Sequence, residues 1–108
     1  MASERLQRAI DFIEANVDQP IGLPEMADAT GLSPTHFARQ FRSTVGQAPH
    51  QYVMQRRVEH AERALVETNT SIAEIAAACG FSNQEHLTRL FKRARGITPA
   101  AYRTSRRG

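Results

Sequence analysis

The chain has 108 residues, 41% hydrophobic and 23% charged, with a formal net charge of +3. That length holds one or two small cores, and the composition is neither that of a disordered chain nor that of a membrane-spanning one. A single cysteine rules out an internal disulfide, and with no signal peptide, long apolar run or lipidation motif a soluble, cytoplasmic protein is expected.

Ser3 is placed to cap a first helix running to about Asn16, with Leu6, Ile10, Ile13 and Val17 on one face. Its acids Glu4, Asp11 and Glu14, with Asp18 just beyond, mark an acidic surface. Gly22 and Glu25 open a second helix only weakly, because glycine has no side-chain oxygen to offer as a cap. Gly31 ends it where positive φ lets the chain turn. Ser33 and Pro34 then form an N-cap and first-turn pair for a third helix, whose Phe37, Phe41 and Val45 fall at core spacing.

From Pro49 to Glu67 there is no glycine or internal proline, and Met54, Val58, Ala61 and Leu65 form one stripe. This predicts a single long connector helix of roughly 25 Å, broken by Thr68, Asn69 and Thr70. Ser71 and Glu74 have capping-box spacing, Gly80 marks another turn, and Ser82 with Glu85 predicts a second capping box. Leu87, Leu90, Phe91 and Ala94 are expected to face a core. No alternating run exists to make a strand.

The second half of the chain repeats the first. Leu23–Ser33 returns as Ile72–Ser82 and Phe37–Val53 as Leu87–Arg103, with one extra residue in the second copy, read here as falling after its serine. The identities include Glu25/Glu74, Gly31/Gly80, Arg39/Arg89, Phe41/Phe91, Gly46/Gly96, Pro49/Pro99 and Tyr52/Tyr102. Each copy reads as a helix-turn-helix, a unit whose second helix can enter a DNA major groove. Residues 1–48 would hold the first helix and first unit, 49–67 the connector, and 68–108 the second unit with a basic tail. The tyrosines, each three residues after a proline, are expected to close their units by packing.

Periodicity leaves Thr35, Ala38, Arg39 and Arg42 on the free face of one second helix. On the other it leaves Gln84, Glu85, Thr88, Arg89 and Lys92. After Glu85 no acid occurs, while Arg89, Lys92, Arg93, Arg95, Arg103, Arg106 and Arg107 follow. A solvated basic surface would account for the charge by itself. Joined to two capped helices, arginine-rich faces point to phosphate and guanine recognition, because the guanidinium fork donates two parallel hydrogen bonds.

With A-x-x-A-L at Ala61–Leu65, IAEIAAACGFS at Ile72–Ser82 and LTRLFKRARGITPAAYR at Leu87–Arg103, the chain resembles the DNA-binding domain of the AraC/XylS family of bacterial transcription regulators. The resemblance runs from Leu6 to Arg103. It implies an all-α fold of about seven helices, with two helix-turn-helix subdomains joined by a long connector helix, and with the third and sixth helices entering consecutive major grooves of double-stranded DNA. Carried over residue by residue, Thr35, Ala38, Arg39, Gln84, Glu85, Thr88 and Arg89 are the expected base readers. Ser33, Arg42, Asn83, Lys92 and Arg93 are the expected phosphate contacts. Ala38 offers a thymine methyl a contact but no hydrogen bond, so the first copy should discriminate less than the second.

The resemblance further implies transcription activation with RNA polymerase as a partner through the acidic first helix. It is closest in kind to short, single-domain members controlled by the amount of protein made, with no small-molecule effector, cofactor or membrane contact within this chain. A helical protein-interaction module using the same faces on an acidic partner is the alternative, and it would show no base preference. An enzyme is the third reading, and Cys79 lacks the neighbouring base a nucleophile needs. Glu85 has two readings, a helix cap and a cytosine reader. His36, His50, His60 and His86 show no metal-ligand spacing, so no metal is expected.

Overall fold

The computed structural model describes residues 1–107, which form helices joined by short turns and contain no strand. The helices are α1 (Ser3–Asn16), α2 (Leu23–Thr30), α3 (Pro34–Val45), α4 (Pro49–Glu67), α5 (Ile72–Ala78), α6 (Gln84–Arg95) and α7 (Pro99–Arg107). Two compact units emerge, Met1–Arg56 and the residues from Arg57 onward, and their boundary lies inside α4.

In the first unit Ala9, Ile13, Met26, Ala27, Phe37, Phe41 and Val53 form the core. Ala9 and Ile13 put α1 on it, while Ile10 is only half-buried. The cap of α1 is Ala2, so Ser3 is the first helical residue and makes no capping bond there. The α1 end of the unit is tied to α4 by a forked ion pair, Arg56 Nε to Glu14 Oε1 at 2.5 Å and Arg56 Nη2 to Glu14 Oε2 at 3.2 Å. Glu14 is therefore engaged inside the unit and leaves the acidic surface to Glu4, Asp11 and Asp18, which are exposed.

In the second unit Val58, Ala61, Leu65, Ile75, Leu87 and Phe91 are buried. The connector spans the residues expected, but its apolar stripe differs. Val53 (1% exposed) takes the place expected for Met54, which is half-buried. A stripe drawn continuously along α4 misses this because Val53 serves the first core and Val58 onward serves the second. Ala94, expected in the core, is exposed, because α6 meets its unit through Leu87 and Phe91.

Each unit repeats one aromatic lock. Phe41 meets Tyr52 edge-on at 5.6 Å, and Phe91 meets Tyr102 edge-on at 5.3 Å. In both turns a left-handed glycine stops the helix, Gly31 at φ 76° and Gly80 at φ 87°. At the second turn Phe81 N–H donates to Ala76 O at 2.9 Å and Gly80 N–H to Ala77 O at 3.4 Å, a Schellman closure.

A Cβ on Gly31 would meet no atom within 4 Å, so the cost of a side chain there is the left-handed backbone alone. Gly31→Ala should lower stability by about 1–2 kcal/mol and Gly31→Asn by less, read from urea unfolding midpoints.

Candidate nucleic-acid interface

Helices α3 and α6 begin at their caps. Ser33 Oγ accepts from His36 N–H at 3.3 Å, and Asn83 Oδ1 accepts from His86 N–H at 2.8 Å. The N-cap of α6 is thus Asn83, one residue beyond the Ser82 expected from the sequence. The additional residue of the second copy sits before the cap, and Ser33 pairs structurally with Asn83. Ser82 is left in the turn, where its N–H donates to His86 Nδ1 at 3.3 Å. A backbone N–H can only donate, so Nδ1 is the acceptor in this contact. Phe81 lies edge-on to the same ring at 5.5 Å.

With caps aligned, Thr35, Ala38, Arg39 and Arg42 on α3 match Glu85, Thr88, Arg89 and Lys92 on α6. Each set runs at i, i+3, i+4 and i+7, which is one helix face. Thr35, Arg39, Arg42, Glu85, Arg89 and Lys92 are exposed, and Ala38 and Thr88 are half-buried. Asn83, Gln84, Glu85, Thr88 and Arg89 together line a shallow groove of about 760 Å³. The candidate readers of the second unit are thereby gathered in one place. Ser33 and Asn83 use a side-chain oxygen as acceptor in capping, which leaves the hydroxyl hydrogen of one and the amide hydrogens of the other to donate to phosphate.

The sequence set Arg89 and Arg93 apart as expected DNA contacts and gave no job to Arg95, Arg103, Arg106 or Arg107. Arg95 Nε binds Glu62 Oε2 at 2.6 Å. Arg103 Nε donates to Leu65 O at 3.0 Å, and Arg107 donates to Thr68 O and to Asn69 Oδ1, so both close the carboxyl end of α4. Arg106 stacks on the Tyr102 ring at 5.1 Å. By contrast Arg39, Arg42, Arg89, Lys92 and Arg93 have no ion-pair partner among the described residues. Cations held by neither carboxylate nor carbonyl are the ones available to an external anion. Arg57, only 7% exposed, is a charged residue whose burial nothing in the sequence pattern signalled.

Among the described residues no group of three His, Cys, Asp or Glu side chains could hold a metal ion, and no helix is long and apolar enough to cross a membrane.

The sequence model of a helix-turn-helix domain family matches residues 26–105. The chain is 33% identical to the multiple antibiotic resistance protein MarA of Escherichia coli over 94 residues, covering 87% of this chain and 74% of MarA. A solved AraC-type DNA-binding regulator from Chromobacterium violaceum superposes with a TM-score of 0.89 at 31% identity, covering 95% of this chain and 92% of that one. The chain belongs to the AraC/XylS family.

AraC/XylS proteins are DNA-binding transcription regulators rather than enzymes, and the seven helices here make the DNA-binding domain of that family. The DNA-binding domain of AdpA, solved in complex with a target DNA, is similar at a TM-score of 0.91 and 32% identity, covering 95% of this chain and 93% of that one. ArgR of Pseudomonas aeruginosa is 32% identical over 104 residues, 96% of this chain but 32% of ArgR. The chain therefore spans about a third of the length of that relative.

Glu62 is held below the ordinary carboxylate range, chiefly by the hydrogen bond from Arg95. A lowered folded-state value means the pair stabilises fully at neutral pH and loses its contribution as pH falls from the ordinary carboxylate range through the lowered value. Glu62→Gln should flatten the acid limb of the stability profile in that window, followed by thermal melts against pH. Arg95→Ala should do the same and leave the salt dependence of DNA affinity unchanged.

Proposed function

We propose that this AraC/XylS domain recognises a specific duplex sequence with α3 and α6 in consecutive major grooves and activates transcription from that site. The observation that carries the reading is the cap-aligned match of the two exposed faces. Thr35, Ala38, Arg39 and Arg42 in one unit answer to Glu85, Thr88, Arg89 and Lys92 in the other, on helices of equal length. Arg39 and Arg89 are read as base contacts, with Thr35, Ala38, Gln84, Glu85 and Thr88 beside them. Ser33, Arg42, Asn83, Lys92 and Arg93 are read as phosphate contacts. These contacts need no cofactor and no small-molecule effector, and a bacterial protein that makes them works in the cytoplasm.

The exposed acids Glu4, Asp11 and Asp18 on and beside α1 carry the sign that phosphate repels. They form the surface proposed for RNA polymerase. The two units are joined through an unbroken 19-residue helix, α4. Consecutive grooves lie about 34 Å apart, and a helical joint gives less reach than a flexible linker, so we expect the duplex to bend by a few tens of degrees at about 1–6 kcal/mol.

Selection from random duplexes should return one motif with two parts. Arg39→Ala and Arg89→Ala should each cost about 1–3 kcal/mol, and each should relax preference in a different part. Equal loss on every sequence would make both arginines phosphate contacts. Arg42→Ala and Lys92→Ala should weaken all sequences alike and reduce the salt slope by roughly one unit each. Circular-permutation mobility should report the bend, and straight DNA would mean that a single unit engages.

A further inference from the structure

We propose that Glu85 is a specificity residue that selects cytosine, taking the N4 amino group of that base in the part of the site contacted by α6. The inference rests on the DNA-binding reading above and assigns one side chain a base that the reading leaves open.

A glutamate in the first turn of a helix ordinarily invites a capping explanation. A capping-box carboxylate must stand at the third helical position to reach back to the cap. In α6 the cap is Asn83 and the third position belongs to His86, whose N–H is the one bound by Asn83 Oδ1 at 2.8 Å. Glu85 stands at the second position and is exposed. It has no hydrogen-bond or ion-pair partner among the described residues, Arg89 one turn away included. Its matched residue in the first unit is Thr35, so an acid at this place is not a requirement of the fold.

The same carboxylate lines the groove with Asn83, Gln84, Thr88 and Arg89. On a surface that approaches phosphates, an acid lowers affinity for every duplex unless it gains a contact of its own. An ionised carboxylate only accepts hydrogen bonds. Among major-groove edges, cytosine presents the N4 amino donor without a neighbouring acceptor on the same base, whereas adenine pairs its N6 donor with the N7 acceptor and suits an amide. Arg89, four residues on and on the same face, supplies the complementary donors for guanine. The α6 part of the site should therefore be rich in G·C pairs, with Glu85 rejecting a base pair that lacks the cytosine amino group where it sits.

The test runs the full chain and its Glu85→Gln variant through parallel selections from random duplexes, with melting curves to verify that the variant is folded. The wild type should return a motif with a cytosine that the variant no longer demands, the amide moving preference toward adenine while the rest of the motif stays. On the wild type, replacing that C·G pair should weaken binding roughly 5- to 150-fold, and on the variant by no more than about twofold. The base-pair replacement reads the preference without any change to the protein. If both proteins return the same motif, or the variant binds all duplexes more tightly by one common factor, Glu85 only repels phosphate and the proposal falls while the DNA reading stands. If the wild type returns no motif at all, the DNA reading fails and takes this proposal with it.

Discussion

The exposed faces of α3 and α6 depend on how the two helices are fixed from beneath. Phe41 in α3 and Phe91 in α6 are fully buried, and each is met edge-on by a tyrosine from the helix that follows. Burying such a ring stabilises by about 1.5–3 kcal/mol, and the ring also sets the rotation of the helix about its axis. A residue two positions earlier lies roughly 200° around the helix, at 3.6 residues per turn. Arg39 and Arg89 are at that position. The hydrophobic contact on one side is thus the reason an arginine projects on the other, and the same geometry is built twice.

Most of this organisation was legible in the residues, because the signals are local or periodic. The glycine turns, the Ser33 cap, the Ser71 cap and the bounds of α4 all follow from neighbours within a few positions. Ser82 was expected to cap α6 because serine followed by glutamate three residues on is the usual pattern, yet Asn83 is an equally good cap and stands one residue later. Two adjacent cap residues leave the register of a helix undetermined until the core is in place. Here Leu87 and Phe91, both fully buried, select the later start.

The structural jobs of Arg95, Arg103 and Arg107 were not legible. Arg95 finds Glu62, and Arg103 and Arg107 find carbonyls at the end of α4, across separations of more than thirty residues. No spacing rule reaches that far. The positive charge of the second half is therefore not of one kind. Arg95, Arg103 and Arg107 hold α6 and α7 to α4, Arg106 stacks on Tyr102, Arg57 is buried, and Arg89, Lys92 and Arg93 are unengaged. A count of basic residues overstates the charge offered to a nucleic acid, and only contacts within the unit separate these groups.

The two copies also solve the same end-of-helix problem by opposite halves of one device. In the first unit the caps Gly22 and Ala48 have no side-chain oxygen, and the third residue reaches back instead, Glu25 Oε2 accepting from Gly22 N–H at 3.2 Å and Gln51 Oε1 from Ala48 N–H at 3.0 Å. In the second unit the caps Ser71 and Thr98 carry the hydroxyl, accepting from Glu74 N–H at 3.1 Å and Ala101 N–H at 3.2 Å. The turns diverge in the same manner. Thr30 Oγ1 accepts from Leu32 N–H at 3.3 Å, whereas the second copy has Cys79 at that place and a turn one residue longer, held by the His86 ring. A Ser or Thr side-chain cap contributes about 1 kcal/mol, and in the first unit the third residue satisfies the cap N–H instead. What differs is which side chains are left over. The second unit keeps Glu74 and the longer turn, and its α6 starts on Asn83 with Gln84 and Glu85 exposed at the first turn. The first unit has Pro34 and Thr35 there. Equivalent scaffolds thus present unlike chemistry at the first turns of α3 and α6.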